Sequence, residues 1–139
     1  MQKVMTQAGA EHREIVFLIS DSQIKKPFIL EDINNMLNSG DIPQIFSQED
    51  FLPLIDSLRT HAKKSGHTKL AESGTNAQFY DYFVACVKQK LHIVLALSSV
   101  LSMLRSRIRM FPNIVNCTTI VWYFQWPENG LGAVAQKFL

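Results

Sequence analysis

Ile15-Val16-Phe17-Leu18-Ile19 is apolar at every position, and the run stops on Ser20-Asp21-Ser22-Gln23. An apolar run without alternation predicts a strand covered on both faces, as in a parallel sheet flanked by helices. The expected fold class is therefore α/β. In such sheets ligands bind beyond the carboxyl ends of the strands. An acid at that point is placed to hold a metal or accept a phosphoryl group, or simply to bond nearby backbone amides. Asp21 is the residue around which a site would form.

With 139 residues and 47% hydrophobic side chains the chain can bury one core, so one domain is expected. A net charge of +2, from 14 basic and 12 acidic residues, gives no field that argues for nucleic acid or a membrane as partner. Cys86 and Cys117 lie far apart and outside any C-x-x-C pattern, which indicates neither a disulfide framework nor a zinc site and fits a reducing compartment. Asn116-Cys117-Thr118 matches a glycosylation pattern, but no signal-peptide core comes after Met1-Gln2-Lys3-Val4-Met5, so the match reads as accidental. The longest apolar segment, around Ile93 and Leu97, is about half of what a bilayer crossing needs, and a soluble chain is expected.

Along the chain, residues 1–9 read as the end of a helix and residues 28–38 as a helix with Ile29, Ile33, Met36 and Leu37 on one face, stopped by Ser39-Gly40. A proline-containing loop, Asp41-Ile42-Pro43-Gln44-Ile45-Phe46, precedes a helix over 49–64 that opens on Ser47 and the acids Glu49 and Asp50. Residues 65–76 are rich in turn formers and predict a flexible insertion. Thr75 or Asn76 then caps a helix through Phe79, Phe83, Val87 and Leu91. His92-Ile93-Val94-Leu95-Ala96-Leu97-Ser98 predicts a second buried parallel strand, residues 100–109 a helix, and 118–124 a third strand rich in β-branched and aromatic residues. Trp126-Pro127-Glu128 starts a last helix through Phe138.

Several blocks, in this order, make the whole chain resemble the fourth AAA+ module of dynein heavy chains, particularly axonemal ones. They are Asp21-Ser22-Gln23-Ile24, Leu30-Glu31-Asp32-Ile33-Asn34-Asn35-Met36-Leu37-Asn38-Ser39-Gly40, Leu91-His92-Ile93-Val94, Arg107-Ile108-Arg109-Met110-Phe111-Pro112, Val115-Asn116-Cys117 and Trp126-Pro127-Glu128. The resemblance implies one partial AAA+ P-loop NTPase large subdomain over 1–139, with about three mainly parallel strands and the central phosphate-loop strand missing. Nothing in the chain matches G-x-x-x-x-G-K-[ST]. In the family that loop would lie upstream of Met1, and the helical subdomain and the stalk would lie beyond Leu139.

On this resemblance Asp21 closes the Walker B strand, where a carboxylate holds the magnesium of ATP or ADP in the parent protein. Hydrolysing relatives place after it a glutamate that orients water, and here that position is Ser22, so hydrolysis is expected to be lost or very slow. Gln23 is a weaker alternative for holding a water. Ser98 falls at the sensor position. Asn116-Cys117 stands where an arginine finger is often offered, with no arginine present, and Arg105, Arg107 and Arg109 just upstream are candidates for an interface between modules. A solvated helix end is the plainer reading of these arginines. The parent would be a motor driven by ATP toward microtubule minus ends, located in the cytoplasm and cytoskeleton of a cilium or flagellum axoneme. Its partners would be neighbouring AAA+ modules, intermediate and light chains, and microtubules. No cofactor and no ATPase activity are expected for the chain by itself.

Two other classes remain. A stand-alone α/β adaptor would dock through exposed apolar surface. In a receiver-like sheet Asp21 would accept a phosphoryl group, but Ser20 and Ser22 supply none of the neighbouring acids that such a site needs. The histidines His12, His61, His67 and His92 have no metal-ligand spacing, so no metal site of their own is expected. Met103, Met110, Phe79 and Phe83 read as core filler, and Lys63 and Lys64 as a solvated charge run.

Overall fold

The computed structural model describes residues 1–98, 101–125 and 127–138. Its elements run α1 (Gln2–Gly9), β1 (Ile15–Ser20), a 3-10 turn (Asp21–Gln23), α2 (Pro27–Ser39), α3 (Gln48–Lys64), α4 (Thr68–Ser73), α5 (Asn76–Lys90), β2 (Leu91–Ala96), α6 (Leu101–Met110), α7 (Asn113–Asn116) and α8 (Glu128–Phe138). The predicted helix start at Val100 and the Trp126 of the last block lie outside the described residues.

Local chemistry accounts for the helix ends. Ser47 accepts a bond from the Asp50 amide at 3.1 Å while the Asp50 carboxylate accepts from the Ser47 amide, so two orphan donors of α3 are satisfied together. Thr75 and Gln78 repeat the arrangement at the start of α5. Gly40 closes α2 with φ +74°, a left-handed conformation that glycine adopts without penalty.

The core lies among α1, α3 and α5 on one face of the strands. Met5, Leu58, Phe79, Phe83 and Val87 are fully buried there. The rings of Phe46 and Phe51 meet Phe83 edge-on, with centroids 5.4 and 5.6 Å from it. The Ser57 hydroxyl donates to the Ala10 carbonyl at 2.8 Å and ties α3 to the end of α1. The loop after α2 is pinned from inside: Ile42 is buried and Tyr80 donates its hydroxyl to Asp41 at 2.6 Å. Farther along the chain, α7 is held to α2 by paired bonds between Asn34 and Asn113. No helix among the described residues is long and apolar enough to cross a membrane.

The sheet differs from expectation in two respects. β1 and β2 pair in parallel, in register from Ile15 with Leu91 to Ser20 with Ala96, and they are the whole sheet among the described residues. The segment 118–124 forms no strand; Tyr123 and Phe124 stand 92% and 90% exposed. A strand exists by pairing, and among the described residues no sheet edge lies against this segment, so high β propensity alone does not order it.

Burial also alternates along β1, contrary to the reading of a strand covered on both faces. Ile19 is buried, whereas Val16 and Leu18 are 67% and 61% exposed, because the helices pack on one face only. The turn-rich stretch 65–76, expected as a flexible insertion, carries the helix α4, whose Ala71 is buried against the body of the protein.

Candidate functional site

β1 and β2 end side by side, so the residues just beyond each strand meet at one rim. Asp21 is the first residue of the 3-10 turn after β1, and Ser98 lies two residues past the end of β2. The Ser98 amide donates to Asp21 Oδ2 at 3.3 Å. The other oxygen, Oδ1, accepts from Arg107 Nη1 on α6 in a close ion pair. Arg107 and Asp21 keep only 14% and 25% of their side-chain surface exposed, so the pair is sheltered more than a surface contact.

The Arg107 guanidinium, by hydrogen bond above all, holds the Asp21 carboxyl below the usual carboxylate range; partial desolvation opposes this, and the Arg107 charge and the Ser98 amide add to it. Both carboxylate oxygens are therefore engaged. A cation reaching Asp21 would have to displace a guanidinium that already neutralises it.

Ser22 and Gln23 turn the other way. The Ser22 hydroxyl lies 3.0 Å from that of Ser20, a pair of hydroxyls with no base between them. Gln23 folds back on the strand end, accepting from the Ser20 amide at 2.9 Å and from the Ser20 hydroxyl at 3.2 Å. That amide oxygen is committed to capping the turn and is not directed outward at a water. Neither residue supplies a group that would take a proton near neutral pH.

The three arginines separate by helical geometry. Positions two apart point to nearly opposite sides of a helix, and only Arg107 faces the rim, while Arg105 and Arg109 are exposed. Asn116 and Cys117, at the end of α7, are also exposed. The pairing of Arg107 with Asp21 is absent from the sequence-based expectations. Its one local signal is the helical phase of α6, which sets Arg107 apart from its two neighbours.

At this rim the residues supply one carboxylate, one backbone amide and one guanidinium. Asp21 has the chemistry to hold magnesium, but the amide cradle that would bind phosphates is not encoded among these 139 residues. They do not by themselves make a complete site.

Comparison with known proteins gives one consistent result. The family model described as "P-loop containing dynein motor region D4" matches residues 1–139. The chain is 42% identical over 138 residues to "Dynein axonemal heavy chain 6" of Homo sapiens, covering 99% of this chain. It is 40% identical over its full length to "Dynein axonemal heavy chain 1" of Mus musculus. It is 41% identical over 133 residues, 96% of this chain, to "Dynein-1-beta heavy chain, flagellar inner arm I1 complex" of Chlamydomonas reinhardtii. The chain spans 3% of the length of each of these relatives.

Proposed function

Because the chain belongs to the P-loop-containing dynein motor region D4 family, we propose that it is a segment of an axonemal-type dynein heavy chain, from the fourth module of the motor ring. In that setting Asp21 is the Walker B acid and, once the Arg107 guanidinium is displaced from it, holds the magnesium of a bound nucleotide, and Ser98 stands at the sensor position. The observation that carries this reading is the convergence of Asp21, the Ser98 amide and Arg107 at the carboxyl rim of a parallel strand pair. That rim is where α/β sheets take ligands.

The module's role is structural and regulatory: it holds nucleotide without turning it over. Ser22 in place of a carboxylate, bonded only to another hydroxyl, supports this. The uncovered face of β1 and the unpaired segment 118–124 support a sheet completed by a phosphate-loop strand that these residues do not include. The parent would move on microtubules at the expense of ATP within the axoneme. Its contacts would be neighbouring modules, with intermediate and light chains reached through the rest of the heavy chain.

Titration with magnesium-ATP tests the reading at two levels. The 139-residue chain should bind no tighter than about 1 mM, roughly −4 kcal/mol. The complete module should bind measurably, and Asp21→Ala should weaken that binding at least tenfold in magnesium but little in a chelator. Micromolar binding by the short chain, or a module indifferent to Asp21→Ala, would overturn it.

A further inference from the structure

A second cluster of chemistry-bearing side chains sits at the other end of β1 from Asp21, roughly 20 Å away by strand rise. His12 comes from the connector between α1 and β1, His61 from α3 and Cys86 from α5. One ligand-capable atom of each lies within 4.8 Å of the others. Cys86 is buried and both histidines are half-buried. The imidazoles of His12 and His61 stack, with centroids 3.2 Å apart and planes 20° from parallel.

Two features of His12 set this apart from a chance meeting in the core. Among the described residues, His12 Nε2 is the one buried side-chain nitrogen or oxygen without a hydrogen-bond partner. A buried polar atom left unpaired costs about 1–3 kcal/mol, so it calls for an explanation. Its backbone also takes φ +54°, the left-handed region that residues other than glycine seldom adopt. His61 is oriented separately, its Nδ1 lying 2.8 Å from the Tyr82 hydroxyl. Tyr82 and Cys86 are four residues apart on α5 and share its inner face.

We propose that His12, His61 and Cys86 form a three-ligand site for a zinc(II)-class ion, unrelated to the nucleotide rim. Two imidazoles and one thiolate match the borderline-soft preference of zinc, and three protein ligands leave a fourth position to water. With Zn–N near 2.0 Å and Zn–S near 2.3 Å, tetrahedral ligand atoms stand roughly 3.3–3.6 Å apart. From separations of up to 4.8 Å, the triad closes by ring rotations about χ2 that unstack the two imidazoles, χ2 being a soft torsion for histidine. On binding, the Cys86 S–H bond breaks, a sulfur–metal bond forms, and the proton passes to solvent. The nearby Lys90 is already paired with Glu14 at 3.0 Å, which reduces its repulsion of the ion. An ion held here would fasten the α1–β1 connector to α3 and α5.

The test uses the untagged 139-residue chain in a Cys117→Ser background, so that the exposed thiol does not contribute. Cobalt(II) should bind one per chain with a thiolate-to-metal charge-transfer band, released by one equivalent of zinc, with about one proton freed per ion. Cys86→Ala should abolish the band, and His12→Asn, a change the left-handed backbone tolerates, should weaken binding at least tenfold. His92→Gln, exposed on β2, should change neither. A chain that is folded by circular dichroism and shows no charge-transfer band would overturn the proposal, as would unchanged affinity in His12→Asn.

Discussion

Replacing Phe83 by alanine should lower the stability of the chain by about 3–5 kcal/mol, the largest effect expected of a single substitution in this core. The ring is fully buried at the centre of the core, where α5 faces α1 and the loop before α3. It packs edge-on against Phe46 and Phe51 and lies beside Tyr80. Truncation removes the transfer energy of the ring and leaves a cavity bordered by other rings that cannot all collapse into it. Domains are stable by only about 5–15 kcal/mol. The loss corresponds to a melting temperature roughly 10–15 °C lower at this chain length, readable by calorimetry or by circular dichroism.

Gly9→Ala should destabilise as well, by about 1–3 kcal/mol before a smaller compensation. A Cβ built at Gly9 falls 2.4 and 2.5 Å from two carbons of the Phe83 ring and 2.8 Å from a methyl of Val87. Both neighbours are fully buried and have nowhere to retreat. Alanine in place of glycine gains up to about 1 kcal/mol in helix propensity, and Gly9 closes α1, where that gain is least. Steric conflict therefore wins. The same substitution at Gly132, on the exposed α8 with nothing within 4 Å of the added carbon, should be stabilising by about 0.5–1 kcal/mol. Opposite signs for one chemical change, measured by urea unfolding, would separate packing from propensity.

Much of the architecture is legible because it is written locally. The two apolar runs at 15–19 and 93–97, the capping residues Ser47 and Thr75, and the stop at Gly40 each announce an element through neighbours in sequence. The segment 118–124 shows the limit of such reading. Its β-branched and aromatic composition is that of a strand, yet a strand is a property of a pair, and propensity does not report whether a partner edge is present. The expectation for the open face of β1 fails for the same reason. An unbroken apolar run records that both faces want cover, not that both receive it.

Within the site, the acid at Asp21 and the polar position at Ser98 are set by strand ends, whereas the ion pair to Arg107 depends on how α6 packs across the rim. The grouping of His12, His61 and Cys86 has no sequence spacing to betray it, since its members come from three elements brought together only by the core.

Asp21 at the rim depends on Arg107 to hold it there, and a carboxyl-carbon NMR titration of that aspartate reads this directly. Its folded midpoint should fall below the value of about 3.9 for a free aspartate, and Arg107→Gln should move it back up. A depressed folded value contributes stability that is present above the unfolded pKa and is lost as pH falls through the folded one, so the variant should also lose part of its stability at neutral pH. A midpoint at the free value in the wild-type chain, unmoved by Arg107→Gln, would show that the carboxylate faces solvent and that Asp21, Ser98 and Arg107 do not share a rim.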